Sequence, residues 1–338
     1  MKMKTIICEQ VERFVMTEQE EPELTEGCAV VQIRRIGICG TDLHAYKGNQ
    51  PFFTYPKVLG HELSGTIVRV AGESEWKAGD LVSIIPYMHC GKCLACREGK
   101  TNCCTSMQVL GVHMDGGMRE RIAVPLSHLV RADGLTLDEA ALLEPLSIGA
   151  HAVRRAQVKE GQRALVIGAG PIGLGVMAFA RLAGAEVIAM DVNEERLDFC
   201  RRWAGVKQTV HALQEPLAAL RELTEGELPQ VVFDATGNGR SMTAAFDYAA
   251  HGGTLVYVGL VKGDITFHDP EFHKRELTLM GSRNATADDF GHVLEAVRSG
   301  AVQVGPLITH RAAFTQMIDE FEQWLLPEQR VIKAIVEL

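Results

Sequence analysis

The stretch Arg163-Ala164-Leu165-Val166-Ile167-Gly168-Ala169-Gly170-Pro171-Ile172-Gly173 decides the fold of this chain. Arg163–Gly168 is a short apolar run that reads as a buried strand, and the helix-like stretch Pro171–Ala183 follows it directly. The turn between them fits G-x-G-x-x-G. The next expected strand, Glu186–Asp191, ends on an acidic residue, which is the full context of a dinucleotide-binding turn. Gly168 permits the tight turn. Gly170 lets the backbone approach a pyrophosphate, and Gly173 allows close helix–strand packing. Pro171 and Ile172 open the helix, whose N-terminus favours negative phosphate. Asp191 can accept hydrogen bonds from ribose hydroxyls and would repel a 2′-phosphate, so NAD is expected rather than NADP. Arg196 is near enough to accommodate that phosphate instead.

Downstream the alternation continues. A charged helix is expected over Glu194–Trp203, then a strand Gln230–Asp234, a helix Ser241–Ala250 and a strand Gly253–Gly259. This order predicts a doubly wound parallel sheet with helices on both faces. Thr236, Gly259 and Leu260 follow strand ends, at the edge of the sheet where a cofactor lies.

Upstream the pattern differs. Ala29–Ile36, Glu62–Val70 and Leu81–Ile85 are short, β-branched and punctuated by Gly and Pro, so the first 150 residues read as β-rich. After a helix at Ala287–Ser299, a strand at Val331–Glu337 is expected to return to this first domain. The expected division is 1–150 with 288–338, and 151–287.

The 338 residues are enough for two domains with large cores. A net charge of −9 and the lack of a basic run argue against nucleic acid or an anionic membrane as partner. Met1–Gln10 has no apolar core of signal-peptide length, and no apolar stretch is long enough to span a bilayer. A cytoplasmic protein acting on a small molecule is the expectation.

Five of the nine cysteines fall within Cys90–Cys104. Cys90, Cys93, Cys96 and Cys104 have metal-ligand spacing, and four thiolates close a tetrahedral shell around zinc with no open position. The lobe covers about residues 88–105, and Cys103 is the alternative fourth ligand. A second, dispersed set is Cys39, His61 and Glu62, with Glu144 further on. A thiolate, an imidazole and a carboxylate can hold zinc and leave room for water or substrate, which suits Lewis-acid chemistry.

Gly37-Ile38-Cys39-Gly40-Thr41-Asp42-Leu43-His44 and Gly60-His61-Glu62, followed by the four-cysteine lobe and the glycine turn, resemble the zinc-containing medium-chain dehydrogenase/reductase superfamily. The resemblance covers essentially the whole chain. It implies a GroES-like catalytic domain built from both chain ends, with an inserted Rossmann domain, two zinc ions per chain, and NAD. By that analogy Cys39 and His61 ligate a catalytic zinc. Glu62 ligates or approaches it, and Glu144 is a further ligand or a water-holding group. Glu144 stands where ethanol-type members have Cys, which favours the polyol and sugar branch. Thr41 and His44 match a proton relay, for which imidazole has a suitable intrinsic pKa. Ser282, Arg283 and Asn284 join the cofactor-contacting residues.

The segments 48–53, 269–274 and 281–286 are most similar to bacterial sugar-acid dehydrogenases. The implied reaction is oxidation of a secondary hydroxyl of a hexonate such as L-galactonate. A neutral polyol such as sorbitol or threitol stays open as the substrate, as does a non-catalytic zinc and nucleotide binder on the same scaffold. Arg119, Lys47, His113 and His273 are candidates to receive a substrate carboxylate. A homo-oligomer, dimer or tetramer, paired through the sheet edge near Gly253–Gly259, is the default by family analogy.

Overall fold

The computed structural model describes residues 2–49 and 53–338. The chain forms two compact units, one of residues 1–144 and 286–338 and one of residues 145–285. The first break falls inside the helix Leu143–Arg155, just after Glu144.

The first unit is built on a seven-stranded sheet. Its strands run in the order Ile308–Ala313, Lys333–Glu337, Cys28–Ile38, Glu62–Val70, Leu81–Ile84 and Leu129–Arg131, with Arg121–Pro125 also pairing Cys28–Ile38. Buried Ile33, Ile36, Leu63, Val82, Ile84 and Val336 fill its core. The C-terminal strand does return to this unit, pairing antiparallel with Cys28–Ile38 so that Ala334 faces Ile38. On the other side of Cys28–Ile38, Gly37 faces Glu62. These two registers bring residues near 38, 62 and 333 to one place.

Four charged side chains tie the returning segments to the sheet. Arg35 Nε and Arg311 Nη2 both donate to Asp138, at 2.9 and 2.5 Å, and Arg311 Nη1 reaches Glu337 at 2.8 Å. Thr136 caps the short helix Leu137–Ala141 that carries Asp138, in a capping box with Glu139.

In the second unit six parallel strands run in the order Gln208–His211, Glu186–Asp191, Arg163–Ile167, Val231–Asp234, Thr254–Tyr257 and Thr278–Gly281. The order reverses between Arg163–Ile167 and Val231–Asp234, which makes their carboxyl ends the binding crevice of such a sheet. Arg163–Ile167 is almost wholly buried, as a central parallel strand should be. The edge strands are Gln208–His211 and Thr278–Gly281. Gly253–Gly259 is therefore not the edge, because Thr254–Tyr257 is flanked on both sides. The expected helix Ser241–Ala250 is a shorter α-helix, Gly239–Ala244, running into a 3-10 turn, Ala245–Tyr248. No helix of the described residues is long and apolar enough to cross a membrane.

Candidate active site

Cys39 is the N-cap of the short helix Gly40–Tyr46, and Glu62 opens the strand Glu62–Val70, with His61 immediately before it. One ligand atom from each of Cys39, His61 and Glu62 lies within 4.8 Å of the others. Buried Asp42 fixes this arrangement. Its Oδ2 accepts from the Cys39 N–H at 2.9 Å and its Oδ1 from the Gly60 N–H at 3.2 Å, with His61 Nδ1 at 3.7 Å.

Glu62 is fully buried and held by Lys333, whose ammonium donates to Oε1 at 2.6 Å, to Oε2 at 2.7 Å and to the Ile38 carbonyl at 3.0 Å. Burial alone would pull the Lys333 ammonium down, but Glu62 and Cys39 more than reverse this and hold it above the usual lysine range. Gly37 makes room for the carboxylate. A Cβ there would lie 2.1 Å from Glu62 Oε2.

Glu144 is not one of the close trio. It stands in the opening turn of Leu143–Arg155, and the Tyr87 hydroxyl donates to its Oε1. Burial pushes its carboxyl up to about 7, with Glu62 adding to the rise and His61 opposing it. His61 shows the balance of charge around the trio. Burial disfavours its cation, yet Asp42, Cys39 and Glu144 hold its pKa well above the ordinary value. One thiol, one imidazole and several buried carboxyls around a single lysine form a donor set that suits a divalent cation, and zinc takes these three ligand types.

Thr41 is half-buried and His44 exposed on the helix Gly40–Tyr46. Three residues apart, they share one face of it.

The Sγ atoms of Cys90, Cys93, Cys96 and Cys104 also lie within 4.8 Å of one another, with Cys104 rather than the exposed Cys103 completing the set. The loop supplies N–H groups to the sulfurs. Lys92 and Cys93 donate to Cys90 Sγ at 3.4 Å, Cys90 to Cys104 Sγ at 3.3 Å, and Ser106 to Cys104 Sγ at 3.4 Å. Backbone N–H groups lower the Cys93 thiol to about 6, while burial and neighbouring sulfurs drive Cys96 up to about 12. Four sulfurs so close hold charge together only around a cation, so this set also fits zinc.

In the second unit Gly168 takes a φ of +97°, and Gly170 is the N-cap of Pro171–Leu182, with Ile172 in its first turn. A Cβ on Gly173 would lie 1.8 Å from the Gly168 carbonyl oxygen, so the helix start can approach the strand only with glycine there. Asp191 holds the turn by accepting from the Ala169 N–H at 2.6 Å and the Asn193 N–H at 2.9 Å. Arg196 donates to the Ala169 carbonyl at 3.1 Å. Thr236 meets Gly168 across the switch point and donates to buried Asp234 from its N–H and its hydroxyl. Gly259 follows Thr254–Tyr257, and Leu260 beside it is exposed. Ser282 N–H bonds the Tyr257 carbonyl at 2.8 Å, Arg283 is exposed, and Asn284 has a φ of +52°. Ser282 Oγ and Asn284 Nδ2 are buried without a protein partner.

Among the candidate carboxylate receptors, Lys47 is exposed and paired with Glu12 at 2.6 Å. His113 Nδ1 accepts from the Val109 N–H at 3.0 Å. Arg119 is half-buried, with the Asp115 carbonyl 3.5 Å from Nη2, and His273 lies on the helix Asp269–Lys274. Gln50–Phe52, within one of the discriminating segments, lie outside the described residues. Sequence reasoning missed Tyr87 and Lys333 altogether. It quoted Asp42 without giving it a role. A lone lysine between Ile332 and Ala334 in an apolar strand was the one available signal for Lys333.

The fold and these two cysteine-bearing clusters define a class of enzyme, and the chain belongs to the zinc-binding dehydrogenases. The family described as zinc-binding dehydrogenase matches residues 171–299, and the alcohol dehydrogenase GroES-like domain matches residues 25–134. Among particular relatives, the chain is 42% identical to the L-galactonate-5-dehydrogenase of Escherichia coli K12, over 99% of this chain and 98% of that protein. It is 32% identical to the D-xylulose reductase A of Aspergillus oryzae, over 94% and 92%. Among solved structures, galactitol-1-phosphate dehydrogenase from Escherichia coli matches with a TM-score of 0.91 at 26% identity, over 99% and 100% of the two chains. An Escherichia coli CFT073 alcohol dehydrogenase complexed with NADH matches with a TM-score of 0.93 at 29% identity, over 100% and 99%.

Proposed function

We propose that this protein oxidises a secondary hydroxyl of a sugar acid to the ketone with NAD as hydride acceptor, and that L-galactonate or a related hexonate is the substrate. The observation that carries this reading is the open donor trio Cys39, His61 and Glu62, within 4.8 Å of one another. The 42% identity to an L-galactonate-5-dehydrogenase supports the choice of substrate.

Cys39, His61 and Glu62 would hold zinc, which would supply Lewis acidity, and the glycine turn would hold NAD, which would supply a hydride acceptor. The chain's own residues do the rest. Asp42 orients Cys39 and the 60–61 turn through two backbone N–H groups. Lys333 neutralises Glu62 and fixes its oxygens. The Thr41 hydroxyl would accept the substrate proton as it gives up its own toward His44, which is exposed on the same helix face and would release a proton to solvent. Gly168, Gly170 and Gly173 cradle the pyrophosphate, and Asp191 selects NAD by charge. The four cysteines of the lobe hold a second zinc for structure. The unit of residues 145–285 thus serves as the nucleotide domain and the other as the catalytic domain.

A homo-oligomer pairing through the edge strand Thr278–Gly281 fits the exposure of Leu279. A cytoplasmic setting fits cysteines kept as metal ligands.

The test is NADH formation by zinc-loaded protein with L-galactonate, L-gulonate, D-gluconate, L-idonate, sorbitol, xylitol and threonine, with NAD and NADP compared. L-Galactonate is expected to give the highest kcat/KM. Preference for sorbitol or xylitol would overturn the sugar-acid reading and leave the dehydrogenase chemistry in place.

A further inference from the structure

Asp234 ends the strand Val231–Asp234, at the reversal of the sheet order, and it is wholly buried. Among the described residues, three donors reach its carboxylate, and all three are neutral. Thr236 donates to Oδ1 from its N–H at 2.9 Å and from its hydroxyl at 2.6 Å, and the Ser241 hydroxyl donates to Oδ2 at 2.6 Å. Burial raises the carboxyl, and these bonds oppose the rise. A buried carboxylate held by neutral groups is costly to keep, so each of its hydrogen bonds counts.

The bonds close a ring. The Asn238 N–H donates to the Thr236 hydroxyl oxygen at 3.0 Å. The Asn238 side chain in turn accepts from the Arg240 and Ser241 N–H groups at 3.0 and 3.2 Å, capping the helix Gly239–Ala244. From Ser241 the ring returns to Asp234. The ring is packed without slack against neighbouring turns. A Cβ on Gly168 would lie 3.1 Å from Thr236 Cγ2, one on Gly237 2.9 Å from the Leu260 carbonyl oxygen, and one on Gly259 2.3 Å from the Gly237 nitrogen. A shift of the 235–238 turn is therefore passed to the turns after Arg163–Ile167 and Thr254–Tyr257.

The sheet order decides which part of a dinucleotide feels such a shift. The glycine turn suits the pyrophosphate, and Asp191, on the strand to one side, suits the adenosine ribose. The nicotinamide half then runs to the other side, over the ends of Val231–Asp234 and Thr254–Tyr257. We propose that Asp234 and Ser241 are positioning residues that hold the 235–238 turn in the shape the nicotinamide half of NAD requires, so that their hydrogen bond strengthens binding of that half and leaves the adenine half unaffected. This rests on the reading of residues 145–285 as the nucleotide domain.

The test is calorimetric titration of zinc-loaded wild type and Ser241→Ala with NADH and with ADP, which carries the adenosine and pyrophosphate without the nicotinamide. Losing one hydrogen bond to a buried carboxylate should raise the Kd for NADH about fivefold and leave that for ADP within about 1.5-fold. A general loosening of the unit would weaken both ligands together. A Kd for NADH within about twofold of wild type, or an equal rise for ADP, would overturn the proposal. A wild type that binds neither ligand would sink the nucleotide reading and this inference with it.

Discussion

The two cysteine-bearing clusters are built in opposite ways. The lobe draws all four sulfurs from residues 90–104, and its own backbone N–H groups receive them. The other cluster takes Cys39 from a helix start, His61 and Glu62 from a strand start, Asp42 from the helix, and Lys333 from the far end of the chain. A local loop can close a shell of four like ligands. An open site with mixed ligands needs each one aimed by a different element, and here the sheet registers do the aiming.

Removing a lobe ligand should have the largest effect. With Cys93→Ser, one thiolate of a closed site is gone, and structural zinc contributes on the order of 10 kcal/mol to folding such a loop. The lobe should lose its zinc and the protein its thermal stability, as followed by metal analysis and calorimetry. A Tm unchanged from wild type would mean the four cysteines do not hold structural zinc.

Lys333→Met probes the open cluster from its distant end. Glu62 would be left as a buried carboxylate without its ammonium, a loss of about 3 kcal/mol or more. The destabilisation should be greater in chelator-treated protein than in zinc-loaded protein, where the cation replaces the lost charge. Equal unfolding midpoints for wild type and variant without zinc would show that the pair is not the hinge of this cluster.

Asp191→Asn keeps a hydrogen-bonding side chain on the glycine turn but removes the charge. The NAD-over-NADP preference in kcat/KM should fall about tenfold, roughly 1.4 kcal/mol. An unchanged preference would shift the discrimination to Arg196.

The smallest effect concerns acid stability of the long-range assembly. Burial would raise the Asp138 carboxyl, but hydrogen bonds from Arg311 and Arg35 more than reverse this and hold it below the usual carboxylate range. Its folded-state pKa is therefore depressed. The stability it adds is present above the unfolded value, about 4, and is lost as pH falls through the folded one. Asp138→Asn should cost about 1 kcal/mol of stability at pH 7, read as a lower Tm, and flatten the fall of stability on the acid side. An acid limb identical to wild type would remove Asp138 from this role.

The same contrast between local and distant construction explains what the sequence disclosed. Glu62–Val70 and Glu186–Asp191 have the expected bounds, because β-branched runs between breakers are a local signal. The glycine turn and the cysteine lobe are local too, and were readable from spacing. The strand Gln208–His211 carries polar residues, and Thr278–Gly281 is an exposed edge strand, so neither shows a buried apolar run. Lys333 and Tyr87 could not be placed because their partners, Glu62 and Glu144, are met only once the sheet registers and the helix Leu143–Arg155 exist. Glu144 was expected as a further zinc ligand or a water-holding group. Its exclusion from the close trio depends on side-chain geometry that spacing does not encode.

The account turns on the open trio being the catalytic centre, and Cys39→Ser tests that most directly. NADH formation with the best substrate of the panel would be measured for wild type and variant, alongside circular dichroism and zinc content. The prediction is a folded protein that keeps the lobe's zinc and loses about a thousandfold or more in kcat/KM, since Lewis-acid stabilisation is worth several kcal/mol. A folded Cys39→Ser enzyme within about tenfold of wild type would contradict it.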